Sequence, residues 1–185
     1  MEKVGTPSSP TTCSVFVGTS LDGFIARPDG ALDFLDAAGT EDHGFHAFLA
    51  GVDALVMGRN TFETVLGFKG PWPYGRKPVF VLSHRPVDVS TIKDGVVEHL
   101  SGPPQEVVAT LAARGLRHLY VDGGATVQEF LRAGLIDRLV ISRVPVLIGQ
   151  GIPLFGPLPR DVALRHVATK AFAGGLVQSE YQVAR

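Results

Sequence analysis

Asp53-Ala54-Leu55-Val56-Met57-Gly58-Arg59-Asn60-Thr61-Phe62-Glu63 changes its period in mid-stretch. Ala54 to Met57 is an unbroken apolar run, the pattern of a strand buried on both faces. Gly58 breaks it. Arg59-Asn60-Thr61 then opens a helix whose apolar stripe is Phe62, Val65 and Leu66. A strand covered on both faces that feeds directly into a helix is the building unit of a parallel α/β sheet.

The same alternation extends in both directions. Upstream, Cys13 to Thr19 reads as a buried strand, Leu21-Asp22-Gly23 as a turn, Phe24-Ile25-Ala26 as a short extended piece and Pro28-Asp29-Gly30 as a second turn. Phe34 and Leu35 lead into a helix expected over Glu41 to Ala50, with Phe45, Phe48 and Leu49 on its apolar stripe. Downstream, Gly67 to Lys77 is a loop that carries Trp72 between Pro71 and Pro73. Strands are expected over Val79 to Leu82, Val96 to Leu100 and Leu119 to Val121, and helices over Pro103 to Arg114 and Val127 to Ala133, stopped by Gly115 and Gly134. A long strand over Arg138 to Ile148 follows. Val162 to Phe172 and Leu176 to Val183 close the chain as a hairpin around Gly174-Gly175. Strand–helix alternation that ends in strands alone predicts a mixed, mostly parallel sheet with flanking helices and an antiparallel C-terminal hairpin.

Composition narrows the class. The chain has 185 residues, enough for one globule that buries roughly 70% of its unfolded surface. The single cysteine, Cys13, excludes a disulfide framework and a cysteine-based zinc cage. A net charge of −1 argues against broad binding to nucleic acid or anionic membranes, and no apolar run reaches the roughly 18 residues of a membrane span. Residues 1–12, rich in Thr, Ser and Pro, lack the apolar segment of a signal peptide. They are expected to be a disordered tail to a single domain over 13–185, in a cytoplasmic protein.

Open α/β sheets bind ligands beyond the C-terminal ends of their strands. Three such ends share one kind of punctuation: Gly58-Arg59-Asn60-Thr61, Ser83-His84-Arg85 and Asp122-Gly123-Gly124-Ala125-Thr126. The first and third run into helices, whose N-termini present unpaired N–H groups and a positive dipole end. Glycine lets an anion approach the backbone, and the hydroxyls and cations add donors. Together they suit a ligand with several phosphates, such as a dinucleotide. Other signals fail. Gly149-Gln150-Gly151-Ile152-Pro153-Leu154 lacks the third glycine of a dinucleotide fingerprint and contains a proline where a helix should open. Gly18-Thr19-Ser20-Leu21-Asp22 lacks the last glycine of a nucleophile elbow. His43 and His46 have no further ligand set, so no metal is expected.

Ser20-Leu21-Asp22-Gly23-Phe24-Ile25-Ala26, the Asp53–Glu63 stretch, the Leu82-Ser83 strand end and the Asp122–Thr126 turn together resemble the dihydrofolate reductase superfamily. Gly134-Leu135-Ile136-Asp137-Arg138-Leu139 and the run from Pro145 to Phe155 are similar to one branch of it. That branch contains the reductase domain of the bifunctional riboflavin-biosynthesis deaminase–reductase (the RibD C-terminal domain) and its stand-alone relatives.

The resemblance implies a dihydrofolate reductase-like three-layer fold, a homodimer, and NADPH as cofactor. Gly58, Arg59, Asn60 and Thr61 would meet the pyrophosphate and 2′-phosphate. Ser83, His84 and Arg85 would lie beside the adenosine phosphate, and Gly123, Gly124, Ala125 and Thr126 beneath the pyrophosphate, across a Gly–Gly peptide that is often cis in the family. Cys13 to Gly18 and Ile25-Ala26 would border the nicotinamide. No residue aligns cleanly with the helix carboxylate of dihydrofolate reductase proper. Asp33, Asp36, Glu41 and Asp42 lie nearby, with solvation or helix capping as their alternative. Asp22, at the expected rim of the pocket, is the catalytic candidate, to hold a substrate donor or relay a proton, with an Asx-type turn as its structural alternative. Phe34, Phe45 and Trp72 are candidates for stacking the substrate, a small nitrogen heterocycle such as 5-amino-6-(5-phosphoribosylamino)uracil; core packing is the alternative for the phenylalanines, and a lid or interface for Trp72. A phosphorylated substrate would need extra bases, for which only Lys69, Arg76 and Lys77 offer themselves. The competing functional expectation is a nucleotide-binding or regulatory protein on the same scaffold, without turnover.

Overall fold

The computed structural model describes residues 10–90 and 92–185. Strand β1 is Thr12–Thr19, β2 Phe24–Ala26, β3 Ala54–Gly58, β4 Pro78–Leu82 and β5 Val96–Leu100. β6 is His118–Asp122, β7 Arg138–Arg143, β8 Ile152–Pro153, β9 Leu164–Ala171 and β10 Val177–Val183. The helices are α1 (Phe45–Ala50), α2 (Arg59–Leu66), α3 (Pro104–Ala113) and α4 (Gly124–Arg132), with a 3-10 helix at Asp33–Ala38.

Eight strands form one sheet in the order β5-β4-β3-β6-β1-β7-β10-β9, and β2 and β8 pair separately. The run from β5 to β7 is parallel; β10 is antiparallel to both β7 and β9. This is the expected mixed, mostly parallel sheet, with the hairpin on one edge.

The period of 2 in each central strand sends alternate side chains to two cores. Ala54 and Val56 of β3 join Phe80, Leu119, Val121, Phe130 and Leu139 on one face. Leu55 and Met57 join Phe48, Phe62, Val79 and Tyr120 on the other. Phe62, Phe80 and Phe130 are among the largest fully buried side chains, and truncating any of them to alanine would cost about 3–5 kcal/mol. A third, smaller cluster of Phe34, Val144 and Leu176 closes the hairpin end.

The structure moves several of the expected boundaries, four of them for a visible physical reason. β1 begins at Thr12, whose N–H donates to the Arg117 carbonyl (2.8 Å), and the Thr11 hydroxyl donates to the Leu116 carbonyl (3.0 Å). The ordered unit therefore reaches into the stretch assigned to the tail; the rest of that assignment, residues 1–9, lies outside the described residues. The helix expected over Glu41 to Ala50 keeps only Phe45–Ala50, because His43 (φ 50°) and Gly44 (φ 85°) are left-handed and stop a helix from running through them. The expected Arg138–Ile148 strand ends at Arg143, before Pro145, which has no N–H to give a ladder. α4 starts at Gly124 rather than Val127, so the glycine pair is the helix N-terminus itself.

Candidate functional site

The C-terminal ends of β4, β3, β6 and β1 are neighbours in the sheet, and a cleft of about 990 Å³ opens above them. Gly58, Arg59, Asn60 and Thr61 line it from the β3–α2 junction, and Asp122, Gly123, Gly124, Ala125 and Thr126 from the β6–α4 junction. Ser83 and His84 line it from the end of β4, and Ser101 and Gly102, which sequence reading did not single out, from beyond β5. The three punctuated strand ends, far apart in the chain, are thus walls of one cavity.

Both helix N-termini are open. Neither Gly58 before α2 nor Gly123 before α4 carries a side-chain cap, and the first-turn N–H groups of a helix have no partner within the helix. Unpaired donors at two helix starts on one cavity wall form a site for anionic oxygen. Glycines let the two helix starts pack closely against neighbouring side chains. A Cβ on Gly58 would stand 2.9 Å from Thr126 Oγ1, one on Gly124 2.6 Å from Ile25 Cδ1, and one on Gly123 would collide with Thr61 Oγ1. Gly123 also has φ 89°, which L side chains rarely adopt. The peptide bonds of the described residues are all trans, so the cis Gly123–Gly124 bond implied by the family resemblance is absent; the positive φ of Gly123 makes the turn instead.

Arg59 lines the cleft and pairs with Glu63 one turn along α2, Nε to Oε1 2.7 Å. Arg85 does not line it. Its side chain is exposed, and its N–H donates to Ser83 Oγ (3.1 Å), closing the turn that holds Ser83 and His84 at the wall.

The other end of the cleft is largely apolar. Phe16, Phe45, Tyr74, Tyr120, Leu35 and Val65 contribute to it. Phe45 is therefore where sequence reading expected it, in edge contact with Phe16 at 5.7 Å and with Tyr120 at 6.4 Å between ring centroids. Phe34 and Trp72 are not in the lining. Phe34 is 4% exposed and belongs to the core with Val144 and Leu176, because its 3-10 helix turns it toward the hairpin. Trp72 packs edge-on against Phe62 and Tyr74, anchoring its loop and presenting Tyr74 to the cleft in its place.

Asp22 is also outside the cleft. It is exposed, and its carboxylate accepts the N–H groups of Ile148 (3.3 Å) and Gly149 (2.8 Å). The Ser20 hydroxyl and those two amides hold its pKa below the usual carboxylate range. It ties the first turn to the β7–β8 connection, a structural role, but it makes no Asx-type turn: the Phe24 N–H that such a turn would use donates to Ser20 Oγ (3.0 Å).

Four acids do line the cleft, Asp29, Glu63, Glu129 and Asp122, and of these Asp122, the last residue of β6, has its pKa raised. It is half-buried. Its Oδ1 accepts the Gly123 N–H at 2.9 Å, and the Tyr120 hydroxyl, which donates to the Phe16 carbonyl (2.8 Å), lies beside it. Desolvation outweighs the stabilising Gly123 N–H bond and the neighbouring Tyr120 hydroxyl and pushes its pKa up to about 6. Burial, then the charge of Asp122, also raises the phenols of Tyr74 and Tyr120. The signal in the sequence was an acid ending a fully apolar strand immediately before a glycine pair.

His43 and His46 diverge. His43 packs edge-on against Phe172 (4.7 Å), and His46 pairs through Nδ1 with Asp42. No helix among the described residues is long and apolar enough to cross a membrane.

Comparison with known proteins agrees with this architecture. The chain is 34% identical over 169 residues to the uncharacterized protein YwjB of Bacillus subtilis, covering 90% of this chain and 95% of that one. It is 41% identical to a solved structure from Shewanella sp. PV-4 that is named for riboflavin biosynthesis, with a TM-score of 0.88 and coverage of 95% and 100%. Dihydrofolate reductase from Enterococcus faecalis, solved with NADP(H), shares the fold at 19% identity, with a TM-score of 0.63 and coverage of 94% and 97%. Residues 11–178 match the RibD C-terminal domain, and the chain belongs to that family.

Proposed function

We propose that this protein is an NADPH-dependent reductase of a small nitrogen heterocycle. The observation that carries the reading is the convergence of three phosphate-suited strand ends on one cleft whose far end is aromatic. The residues fit the cofactor: two uncapped helix N-termini, packed closely at their glycines, suit a pyrophosphate. Arg59 and His84, with Ser83, suit the phosphate that distinguishes NADPH from NADH. The reduced nicotinamide supplies a hydride when bound.

The chain's own residues orient, exclude water and move a proton. Phe16, Phe45 and Tyr120 form a dry wall against which a flat ring stacks. Asp122 is the proton donor at the cleft floor, because a carboxyl with a pKa near 6 is still partly protonated near neutral pH. The reductase structure from Enterococcus faecalis, solved with NADP(H), supports the same cofactor on this fold.

The test is a titration with NADPH and NADH, followed by thermal stability, since a ligand specific to the folded form raises it in proportion to the logarithm of its concentration over Kd. Stabilisation by NADPH well beyond that by NADH is expected. No shift with either would overturn the reading. Binding without oxidation of NADPH across pterins, pyrimidines and flavins would instead identify a nucleotide-binding protein without turnover.

We also propose that the chain works as a homodimer. All eight residues of the edge strand β9 are exposed, with Leu164 and Val167 among the large apolar ones, and Val177 of β10 is exposed beside them. A monomer mass in sedimentation equilibrium would refute this.

A further inference from the structure

The cleft is unbalanced in charge. Its lining contains four acids, Asp29, Glu63, Asp122 and Glu129, against one guanidinium, Arg59, and one imidazole, His84. Arg59 is already shared with Glu63. A dinucleotide with a pyrophosphate and a 2′-phosphate would occupy Arg59, His84 and the open N–H groups of α2 and α4. Among the described residues, no cation in the lining then remains for a second anionic ligand.

The bases that the sequence offered for a phosphorylated substrate are elsewhere. Lys69 and Arg76 are exposed and outside the lining, and Lys77 donates through Nζ to the Val52 carbonyl. Arg27, which lies between the lining residues Ala26 and Pro28, is held by both oxygens of Asp33 at 2.6 and 2.9 Å. Beside Tyr120 the lining offers an acceptor, the Asp122 carboxyl, with only its Oδ1 engaged by the Gly123 N–H among the described residues. A phosphoryl group there would bring about two negative charges into a space of low dielectric already rich in carboxylates, where like charges repel strongly.

We infer that the substrate of this cleft is an unphosphorylated, flat nitrogen heterocycle, neutral or cationic, that presents neighbouring N–H donors to Asp122 and stacks on the aromatic wall. The inference rests on the reductase reading and separates this chain from enzymes that reduce a phosphoribosyl substrate.

Calorimetry tests it in two stages. NADPH is titrated first. The NADPH-saturated protein is then titrated with a matched pair, 5-amino-6-ribosylaminouracil and its 5-phosphate, and with 2,4-diaminopyrimidine, an amidine probe. The phosphate is expected to weaken binding about 10-fold or more. Asp122→Asn is expected to weaken the amidine probe by a similar factor, since a charge-assisted hydrogen bond is lost. NADPH binding with equal or tighter binding of the phosphorylated partner overturns the inference and leaves the reductase reading standing. So does failure of all three probes to bind. Absence of NADPH binding overturns the reductase reading, and the inference with it. The matched pair is read on the unaltered protein, so the outcome does not depend on the variant folding.

Discussion

Thr61 stands where a Cβ on Gly123 would be, and Thr126 answers it from the other side, 2.9 Å from where a Cβ on Gly58 would be. The starts of α2 and α4 are interlocked by this reciprocal pairing of a threonine on one with a glycine on the other. Two open helix ends are thereby held side by side at the cleft wall. Thr126 is 5% exposed, so its side chain serves this packing.

Gly123→Ala should therefore be costly twice over, through the positive φ and through the collision with Thr61. A loss of more than about 2 kcal/mol is expected in urea denaturation, with Thr61→Ala restoring part of it in the double variant. Gly134→Ala is the control. It shares a positive φ (68°) but meets nothing within 4 Å, and should cost only about 1 kcal/mol.

Arg59→Ala should weaken NADPH about 10-fold or more and leave NADH within about threefold, as expected for one charge-assisted contact to the 2′-phosphate. Fluorescence titration with both cofactors reads this directly. Equal loss for both would remove Arg59 from the role.

Asp122 makes stability and activity depend on pH in a defined direction. Its folded pKa of about 6 is above the unfolded value of 3.8, so between those two pH values the folded state binds more protons than the unfolded one. Stability from this group is full below pH 3.8 and is lost as pH rises toward 6 and through it. Asp122→Asn should thus stabilise the protein at pH 7.5, by on the order of 1–3 kcal/mol, and very little at pH 4. With Asp122 as proton donor, the rate should also fall as pH rises above about 6 and lose that limb in the variant.

Asp22→Ala should leave the NADPH titration unchanged and free two amides. Hydrogen exchange at Ile148 and Gly149 should speed up, because their acceptor is gone. A loss of turnover at unchanged exchange would return Asp22 to the chemistry.

Cys13 is 1% exposed, and burial together with nearby Asp137 pushes its thiol up to about 12. It should stay unreactive toward thiol reagents until the protein unfolds. Labelling of the native protein would show that β1 opens locally.

The central strands were legible in the sequence because burial on both faces demands unbroken apolar runs, as in Ala54–Met57 and Val79–Leu82. The strand ends were legible for a related reason: Gly58 and Gly123-Gly124 interrupt such runs abruptly, and nothing in a core requires Arg59 or Ser83 beside them. The mixed sheet with its antiparallel hairpin followed from strand–helix alternation giving way to strands alone.

Side-chain direction was not legible. Phe34 and Phe45 have the same chemistry and lie close in sequence, yet a 3-10 helix turns one into the core and the start of α1 turns the other into the cleft. Trp72 and Tyr74 exchange roles for the same reason. Asp22 and Asp122 both precede a glycine turn. One meets two amides contributed by residues more than a hundred positions away, and the other meets the low-dielectric floor where β6 lies between β3 and β1. Local pattern governs which backbone conformations are affordable, so strands, breaks and helix starts can be read along the chain. The charge and polarity around a carboxyl depend on what distant segments bring to it, and those are set when the sheet assembles.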